Sequence, residues 1–497
     1  MRDNEPDTPE EDGVSSYPAT EQQMRTYPAA RQALAQFQAP VLVHAGNPHA
    51  RLYVACFDGT GNDVNKDPAH ATNVAKIYKQ ILENSGNPQI AGGYVPGPGT
   101  QDGWWARTVD SATGGTYEPR IEKMYALFID QAKRWRDADP NAQIRLADIG
   151  FSRGSEQAAG FARLVHERGI QDHSGVIYQT DADGMITGVR YAKPPLVAPG
   201  QVPQVEGLFD AVGTGEPYQH DRRPPPSVIS GLHIMAQDER RSVFPSDRII
   251  DPGLTPDGRF LGVTVAGAHS DVGGGYLGNG LAIRNGNMMA DYLNALSDKP
   301  FLQKSQEPDG SRLNMVHRSE EAAPFNIMPT VKRDQPAGYN ERLVPQNVEY
   351  VSSPSGDGIV KELRSERPGV QDPLNAEPRD ELLNGQFRRQ PVRSAAAPAP
   401  AQTQAPPQSL QQPRQDNPGQ DVWARVDQIL AAAGTGNQQE FRAGTQALAA
   451  MPVAQEMQAQ ARETVDLQEQ LQAAQQAREA QQSQMQQQDA LVMRMSY

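Results

Sequence analysis

The strongest chemical signal in the sequence is a glycine-flanked serine, Gly150-Phe151-Ser152-Arg153-Gly154. This G-x-S-x-G pattern is typical of a sharp strand-to-helix turn that lifts the serine hydroxyl out at the carboxyl end of a strand. The context agrees, because an apolar run (IRLADIG, 144–150) precedes the turn and an Ala-rich run follows it. We predict that Ser152 is a nucleophile and that Gly150 and Gly154 shape its turn. The alternative is an ordinary strand–helix turn.

A serine needs a neighbouring base, itself oriented by a carboxylate, before it can attack an ester. His269 is the best candidate, since it stands where the apolar run LGVTVAG meets the glycine-rich run SDVGGGY. Its alternative role is that of a structural loop histidine. The other histidines between Ser152 and His269 are less well placed: His166, His173, His220 and His233. His233 lies in GLHIMAQDERR, a run that favours a helix.

The carboxylate should lie between the serine and the histidine, because this type of hydrolase carries its triad in the order Ser, Asp or Glu, His. Asp210 fits, as it ends the apolar run in GLFDAVG (207–213). Asp238 and Asp271 are competitors, and a turn-forming role is the alternative for Asp210. The stretch from Ser152 to Asp210 and the stretch from Asp210 to His269 are each long enough for one strand–helix–strand unit.

Acyl transfer also needs donors for the oxyanion that develops on the carbonyl oxygen. One donor should be the backbone N–H of Arg153, the residue after the nucleophile. The second is expected from the loop Asp58-Gly59-Thr60-Gly61-Asn62, with Gly59 and Thr60 as candidates. We assign Asp58 and Asn62 a supporting role in ordering this loop, and Asp271 one in holding a loop or a cation, although the sequence offers no ligand set for calcium.

Two other chemistries are disfavoured. The run FDGT resembles the D-x-D-G-T motif of haloacid-dehalogenase-like phosphatases, but Cys56 occupies the position of the nucleophilic aspartate. Gly273–Gly275 is not followed by the G-K-[ST] that a phosphate-binding loop requires.

Strand-like and helix-like runs alternate from about residue 49 to residue 300, which predicts a mostly parallel sheet covered by helices on both faces. The expected fold is therefore α/β and α/β-hydrolase-like, with residues 49–300 as the catalytic domain. The run ATNVAKIYKQIL places a set of apolar residues on one helical face: Val74, Ile77, Tyr78, Ile81 and Leu82.

The remaining segments lack this alternation. We expect residues 1–48 to be mostly disordered and residues 301–390 to form an irregular cap or extension on the hydrolase. Residues 391–420 have the Pro/Ala/Gln composition of a linker. Residues 421–497 are Gln-rich and favour a helical tail, either solvated or used for partner docking or export recognition.

Composition narrows the function classes. The chain has 497 residues with 44 Gly and 41 Pro, and only 37% of its residues are hydrophobic, so a single uniform globular body is not expected. The net charge of −14 argues against nucleic acid as the main partner. A single cysteine excludes an intramolecular disulfide and a Cys-based zinc site. The acidic start lacks the apolar run of a secretory signal, and no stretch is long and apolar enough to span a membrane.

Five blocks occur in order along the chain: FDGTGN (57–62), GFSRG (150–154), GLFDAVG (207–213), HIMAQDERRSVFP (233–245) and AGAHSDVGGGY (266–276). Together they closely resemble the serine α/β-hydrolase family of type VI secretion phospholipase effectors. The resemblance covers about residues 50–290. It departs from the family pattern at Ser155, where relatives often have Ala, and it includes nothing after residue 300.

The resemblance implies a Ser152–Asp210–His269 triad that cleaves acyl esters of glycerophospholipids without a metal or cofactor. It also implies phospholipase A1 or A2 activity against membranes of competing or host cells, an immunity protein, and a secretion-machinery partner. Such a protein is made in the bacterial cytoplasm and delivered by a contact-dependent system. The alternatives are a carboxylesterase not directed at membranes and an interaction protein on a hydrolase scaffold.

Overall fold

The computed structural model describes the greater part of residues 12–393. The described ranges are 12–60, 62, 70–84, 86–97, 117–174, 176–180, 186–213, 217, 220–309, 313–322, 325–341, 343 and 377–393. The chain divides into two compact units, Met1–Gln402 and Thr403–Tyr497, and every described residue belongs to the first. The predicted linker beyond residue 393 and the predicted helical tail (421–497) lie outside the described residues.

The described unit is built on a seven-stranded sheet. In chain order its strands are β1 (Ala50–Phe57), β2 (Ile90–Val95), β3 (Gln143–Phe151), β4 (Gln204–Phe209), β5 (Val228–Ala236), β6 (Gly253–Leu254) and β7 (Phe260–Val265). Their spatial order is β6-β7-β5-β4-β3-β1-β2. All neighbours are parallel except β6, which pairs antiparallel with β7.

Helices cover both faces of this sheet. They are α1 (Thr26–Gln36), α2 (Asn73–Glu83), α3 (Tyr117–Ala138), α4 (Arg153–Arg168), α5 (His269–Gly273) and α6 (Gly280–Asn294). Alternate residues of β1 enter two separate apolar cores, one shared with α1, α2 and α6 and the other with α3 and α4. Strands buried on both faces carry near-continuous apolar runs, as the sequence does here. The predicted α/β class is thus confirmed.

Two local expectations are wrong. Leu82 was placed on the buried face of α2, yet it is 52% exposed, whereas Val74, Ile77 and Ile81 are buried as expected. His233 was assigned to a helix-like run but lies in β5, every residue of which is buried. Burial between two neighbouring parallel strands decides this conformation, and a short apolar run alone does not distinguish strand from helix.

The N-terminal segment also differs from expectation. Residues 1–48 are expected to be mostly disordered, but residues 12–48 are described, and α1 within them packs against β7. Tyr27 and Leu34 of α1 are buried, and the Tyr27 hydroxyl donates to Ala266 O at 2.7 Å. Ala266 N in turn donates to Thr26 Oγ1 at 2.9 Å. These contacts with the end of β7 supply the stabilisation that the polar local sequence lacks.

Short strands tie the region after residue 300 to the rest of the unit. Met315–His317 pairs with Ser16–Pro18, and Arg389–Pro391 pairs with Gln38–Pro40. Tyr339–Asn340 pairs with Ser246–Asp247, and elsewhere in the unit Val176–Thr180 pairs antiparallel with Ile186–Tyr191. Among the described residues, the other helical turns are Glu21–Met24, Ser319–Glu321, Phe325–Ile327, Pro336–Gly338 and Glu381–Asn384. Within the described ranges, no helix has the length and apolarity that crossing a membrane demands.

Candidate active site

Ser152 sits in the sharp turn between β3, which ends at Phe151, and α4, which begins at Arg153. Its backbone has φ 60° and ψ −129°, a conformation that costs energy for a residue with a Cβ. Ser152 N donates to Phe209 O at 3.0 Å, which fixes the turn against the end of β4. The side chain therefore stands at the carboxyl edge of the sheet, at the amino end of a 16-residue helix.

The two glycines of this turn permit close backbone approaches. A Cβ on Gly150 would lie 2.3 Å from Gly154 O, and a Cβ on Gly154 would lie 2.2 Å from Phe57 O. Real Cβ atoms do not approach carbonyl oxygens so closely. Helix α4 thus begins directly against the end of β1, which explains why both positions carry glycine.

Asp210 and His269 form a buried hydrogen-bonded pair beside this turn. His269 Nδ1 lies 2.6 Å from Asp210 Oδ2, and both side chains are almost inaccessible to solvent. Asp210 directly follows β4 and has φ 34°. Its Oδ1 accepts a hydrogen bond from Ala236 N at 2.9 Å. Among the described residues, Ser152 and Asp210 are the only two non-glycine residues with positive φ.

The charges around the pair favour an ionised aspartate and a neutral histidine. Burial alone would raise the pKa of Asp210, but the charge of Arg333 and the hydrogen bond and charge of His269 lower it to about 2. Burial lowers the pKa of His269, and the neighbouring Asp210 only partly opposes this effect. A neutral imidazole with Nδ1–H directed at a carboxylate leaves Nε2 as a proton acceptor.

Aromatic rings hold the His269 imidazole. The Phe151 ring lies with its centroid 4.6 Å away, and Phe244 meets the imidazole edge-on at 5.3 Å. Phe244 also contacts Phe325 at 5.4 Å. Since Phe151 precedes Ser152, its contact places the imidazole next to the serine turn. Within the described ranges the Ser152 hydroxyl makes no hydrogen bond to His269, and such catalytic bonds often tighten only when substrate binds.

The competing histidines have other partners. His166 Nδ1 lies 2.9 Å from Ser227 Oγ, His173 lies near Asp130, and His220 stacks on Tyr117. His233 Nδ1 lies 3.2 Å from Ile250 O, and its Nε2 accepts from Ala211 N at 3.3 Å. Burial lowers the pKa of His233 to about 4, so its imidazole stays neutral.

The competing carboxylates also lie elsewhere. Asp238 Oδ2 accepts from Gly267 N at 2.8 Å. Asp271 Oδ2 accepts from Ala268 N and from His317 N, each at 2.9 Å, and its Oδ1 lies 2.6 Å from His317 Nδ1. Asp271 therefore caps the short helix α5 that begins at His269 and joins it to the strand Met315–His317.

The loop after β1 lies against the serine turn. Asp58 Oδ1 accepts hydrogen bonds from Gly59 N at 2.7 Å and from Thr72 Oγ1 at 2.8 Å. The Gly59 N–H is thus engaged by Asp58, which makes it a poor oxyanion donor. Arg153 Nε donates to Thr60 Oγ1 at 2.5 Å, and Asn62 Nδ2 donates to Thr60 O at 3.1 Å. These bonds hold Thr60 beside the residue that follows the nucleophile.

Three site residues were not anticipated from the sequence. Arg333 Nη2 donates to Asp210 Oδ2 at 2.8 Å, and His269 N donates to Glu239 Oε2 at 3.2 Å. Phe151 occupies a variable position of the serine motif, so the motif does not predict its role. Glu239 lies within the block HIMAQDERRSVFP (233–245), so the motif was a signal that could have identified it. The sequence around Arg333 carries no such motif.

Comparison with known proteins supports the resemblance seen in the motifs. Residues 51–182 match the model of the type VI secretion system phospholipase effector Tle1-like catalytic domain. This range contains the β1 loop and the serine turn but neither Asp210 nor His269. No match was found among curated proteins.

Two solved structures are distantly similar. An uncharacterized protein from Pseudomonas aeruginosa is 18% identical with a TM-score of 0.33, and the match covers 59% of this chain and 52% of that one. A structure of the Tle1 effector bound to the VgrG spike of the type 6 secretion system is 20% identical with a TM-score of 0.26. That match covers 48% of this chain and 52% of the other. The chain thus spans about half the length of each. The predicted resemblance is confirmed: over residues 51–182, this chain is similar to the catalytic domain of Tle1-like phospholipase effectors, which supports a lipolytic hydrolase.

Proposed function

We propose that this protein is a serine hydrolase that cleaves carboxylic ester bonds of phospholipids through Ser152, Asp210 and His269. The observation that carries the proposal is the buried His269–Asp210 pair, 2.6 Å apart, beside a serine held at φ 60° in a strand–helix turn. The match of residues 51–182 to a phospholipase catalytic domain supports the substrate class.

In the proposed mechanism, the Ser152 oxygen attacks the ester carbonyl while His269 Nε2 takes its proton. The imidazolium that forms is stabilised by the Asp210 carboxylate, which remains ionised throughout. His269 then gives the proton to the departing alkoxide, which leaves as the alcohol. A water molecule, deprotonated by His269, attacks the acyl-enzyme and releases the fatty acid, and the proton returns to Ser152.

The backbone N–H of Arg153 is the first proposed oxyanion donor, since it belongs to the first residue of α4 and lies at the positive end of the helix dipole. Thr60 N is the second, because the Arg153 side chain holds Thr60 next to the turn. Loss of one such donor typically costs about 3–4 kcal/mol of transition-state stabilisation.

The wider role follows from the same family match. We propose a phospholipase A-like effector, made in the bacterial cytoplasm and delivered by a contact-dependent secretion system into target cells. Its partners would be a phospholipid membrane as substrate, a component of the secretion machinery, and an immunity protein in the producing cell. The proposed route requires no cofactor.

The test compares Ser152→Ala with Ser155→Ala on mixed phospholipid vesicles, with released fatty acids and lysophospholipids measured by mass spectrometry. Ser155 is a matched control, because it lies in the first turn of α4, three residues after Ser152, and its hydroxyl donates to Phe209 O at 3.1 Å. We expect Ser152→Ala to lose at least about 10⁴-fold in kcat. Ser155→Ala should retain activity.

The lipid products also identify the acyl position that is cleaved. Fatty-acid release by Ser152→Ala at the wild-type rate would refute the assignment of the nucleophile. Cleavage of short acyl esters without cleavage of any phospholipid would keep the hydrolase and reject the membrane-directed role.

A further inference from the structure

Arg333 contacts the acid of the proposed triad, although it comes from a segment without a recognisable motif. Its Nη2 donates to Asp210 Oδ2 at 2.8 Å, and His269 Nδ1 donates to the same oxygen at 2.6 Å. Ala236 N donates to the other carboxylate oxygen at 2.9 Å. The carboxylate is therefore held through both oxygens by three donors, and it cannot rotate without breaking at least one charged hydrogen bond.

The guanidinium of Arg333 is directed at this one carboxylate. Arg333 is only 8% exposed, and its Nε and Nη1 have no hydrogen-bond partner in the part of the chain that the structure describes. A guanidinium carries five N–H donors, and among the described residues only Nη2 of Arg333 has a hydrogen-bond partner. Burial of such a charge is costly, and here the described compensation comes through Asp210.

The backbone around Arg333 is fixed to the segment that follows β5. Val331 N donates to Arg240 O at 2.9 Å, and Thr330 forms an antiparallel bridge with Arg241. Gln335 N donates to Lys332 O at 3.0 Å, which closes a turn around Arg333. The segment after β5 also carries Glu239, whose carboxylate accepts from His269 N. The position of Arg333 is thus coupled to the backbone that surrounds His269.

The Arg333 cation bonded to Asp210 has two consequences for the site. It keeps the carboxylate ionised, and it offsets part of the negative charge that would otherwise favour a protonated His269. The charged and titratable groups around His269 and Asp210 are Arg333, Glu239, Arg241 and His233, together with Asp271 of α5, which pairs with His317 of the strand Met315–His317. Of these, Arg333 is the cation bonded to the triad carboxylate.

We propose that Arg333 is a positioning residue of the hydrolase: it locks the Asp210 carboxylate and limits how strongly that carboxylate favours protonation of His269. This inference rests on the proposed function. It assigns a role in the active site to the region after residue 300, which the family resemblance does not cover.

The test measures kcat, KM and the pH profile of kcat/KM for Arg333→Gln, with a short acyl ester and with phospholipid vesicles. Without the positive charge, Asp210 stabilises the His269 imidazolium more strongly. The acidic limb of the kcat/KM profile should therefore move to higher pH by roughly 0.5–1 unit. We expect kcat to fall about tenfold with little change in KM, because the lost interaction acts through the triad. Lys332→Gln is the matched control, since it removes the same charge from an exposed neighbour.

An Arg333→Gln variant with the wild-type kcat and pH profile would overturn the proposal, even if its melting temperature were lower. If that variant does not fold, Arg333→Lys decides: a retained pH profile with a several-fold lower kcat supports the proposal, and an unchanged kcat overturns it. Titration of the His269 ring protons by NMR separates this inference from the proposed function. An upward shift in Arg333→Gln supports the role of Arg333 even if the wild-type protein hydrolyses no ester, and no shift overturns it.

Discussion

At the scale of single residues, backbone strain coincides with the proposed chemistry. Ser152 and Asp210 are the only non-glycine residues with positive φ among those described, and they are two of the three proposed triad members. Such conformations persist only where surrounding contacts impose them, and they concentrate at functional sites. For Asp210, those contacts include the bonds from Ala236 N and from the side chains of His269 and Arg333.

The Asp210–Arg333 pair predicts a specific pattern of stability. Asp210→Asn should lower the free energy of unfolding by about 3–5 kcal/mol, because it leaves Arg333 as an uncompensated buried charge. Asp210→Asn combined with Arg333→Met should regain much of that stability while remaining nearly inactive. Urea denaturation of the wild type, Asp210→Asn, Arg333→Met and the double variant measures the coupling. An Asp210→Asn variant as stable as the wild type would show that the two charges do not form a buried pair in solution.

At the scale of elements, the site depends on how closely α4 approaches β1. Gly154→Ala would place a Cβ 2.2 Å from Phe57 O and 2.6 Å from Asp58 O. Both obstacles are backbone atoms, so the helix itself must move. We expect a loss of roughly 2–4 kcal/mol in the free energy of unfolding. Displacement of Ser152 should reduce kcat by about 100-fold.

Gly86→Ala is the control for this variant, because its Cβ would meet no atom within 4 Å and its φ is not positive. Thermal unfolding and ester hydrolysis of the two variants give the comparison. Equal effects of the two substitutions would contradict the close approach of α4 to β1.

The same elements show what the sequence could predict. The carboxyl ends of parallel strands lie at one edge of a sheet, so residues that follow β3, β4 and β7 were expected to meet, and the structure brings Asp210 and His269 together. Arg333 could not be found this way, because its segment has neither strand nor helix periodicity. The packing of α1 was missed for a related reason: Tyr27 is buried by contact with Ala266, a residue far away in the sequence.

At the scale of the whole molecule, two buried acids couple folding to pH. Asp148 of β3 and Glu206 of β4 are direct neighbours in the sheet and are inaccessible to solvent. None of their four carboxylate oxygens has a hydrogen-bond partner among the described residues. Burial raises the pKa of Glu206 to about 8 and raises that of Asp148, which also feels the charge of Glu206. Glu206 is therefore protonated in the folded protein near neutral pH, and Asp148 holds its proton to higher pH than in the unfolded chain.

Glu206→Gln should make the protein more stable at pH 8 and should flatten its pH dependence. The unfolded chain releases this proton near pH 4.5, whereas the folded protein keeps it up to about pH 8, so the free energy of unfolding falls as pH rises across that window. Since one pKa unit corresponds to about 1.4 kcal/mol, the substitution should raise the free energy of unfolding at pH 8 by on the order of a few kcal/mol. Glu83→Gln, which removes the same charge from a side chain that is 63% exposed, controls for the net charge of −14. Urea denaturation at pH 5, 6.5 and 8 measures both variants, and a Glu206→Gln slope as steep as that of Glu83→Gln would contradict a protonated, buried Glu206.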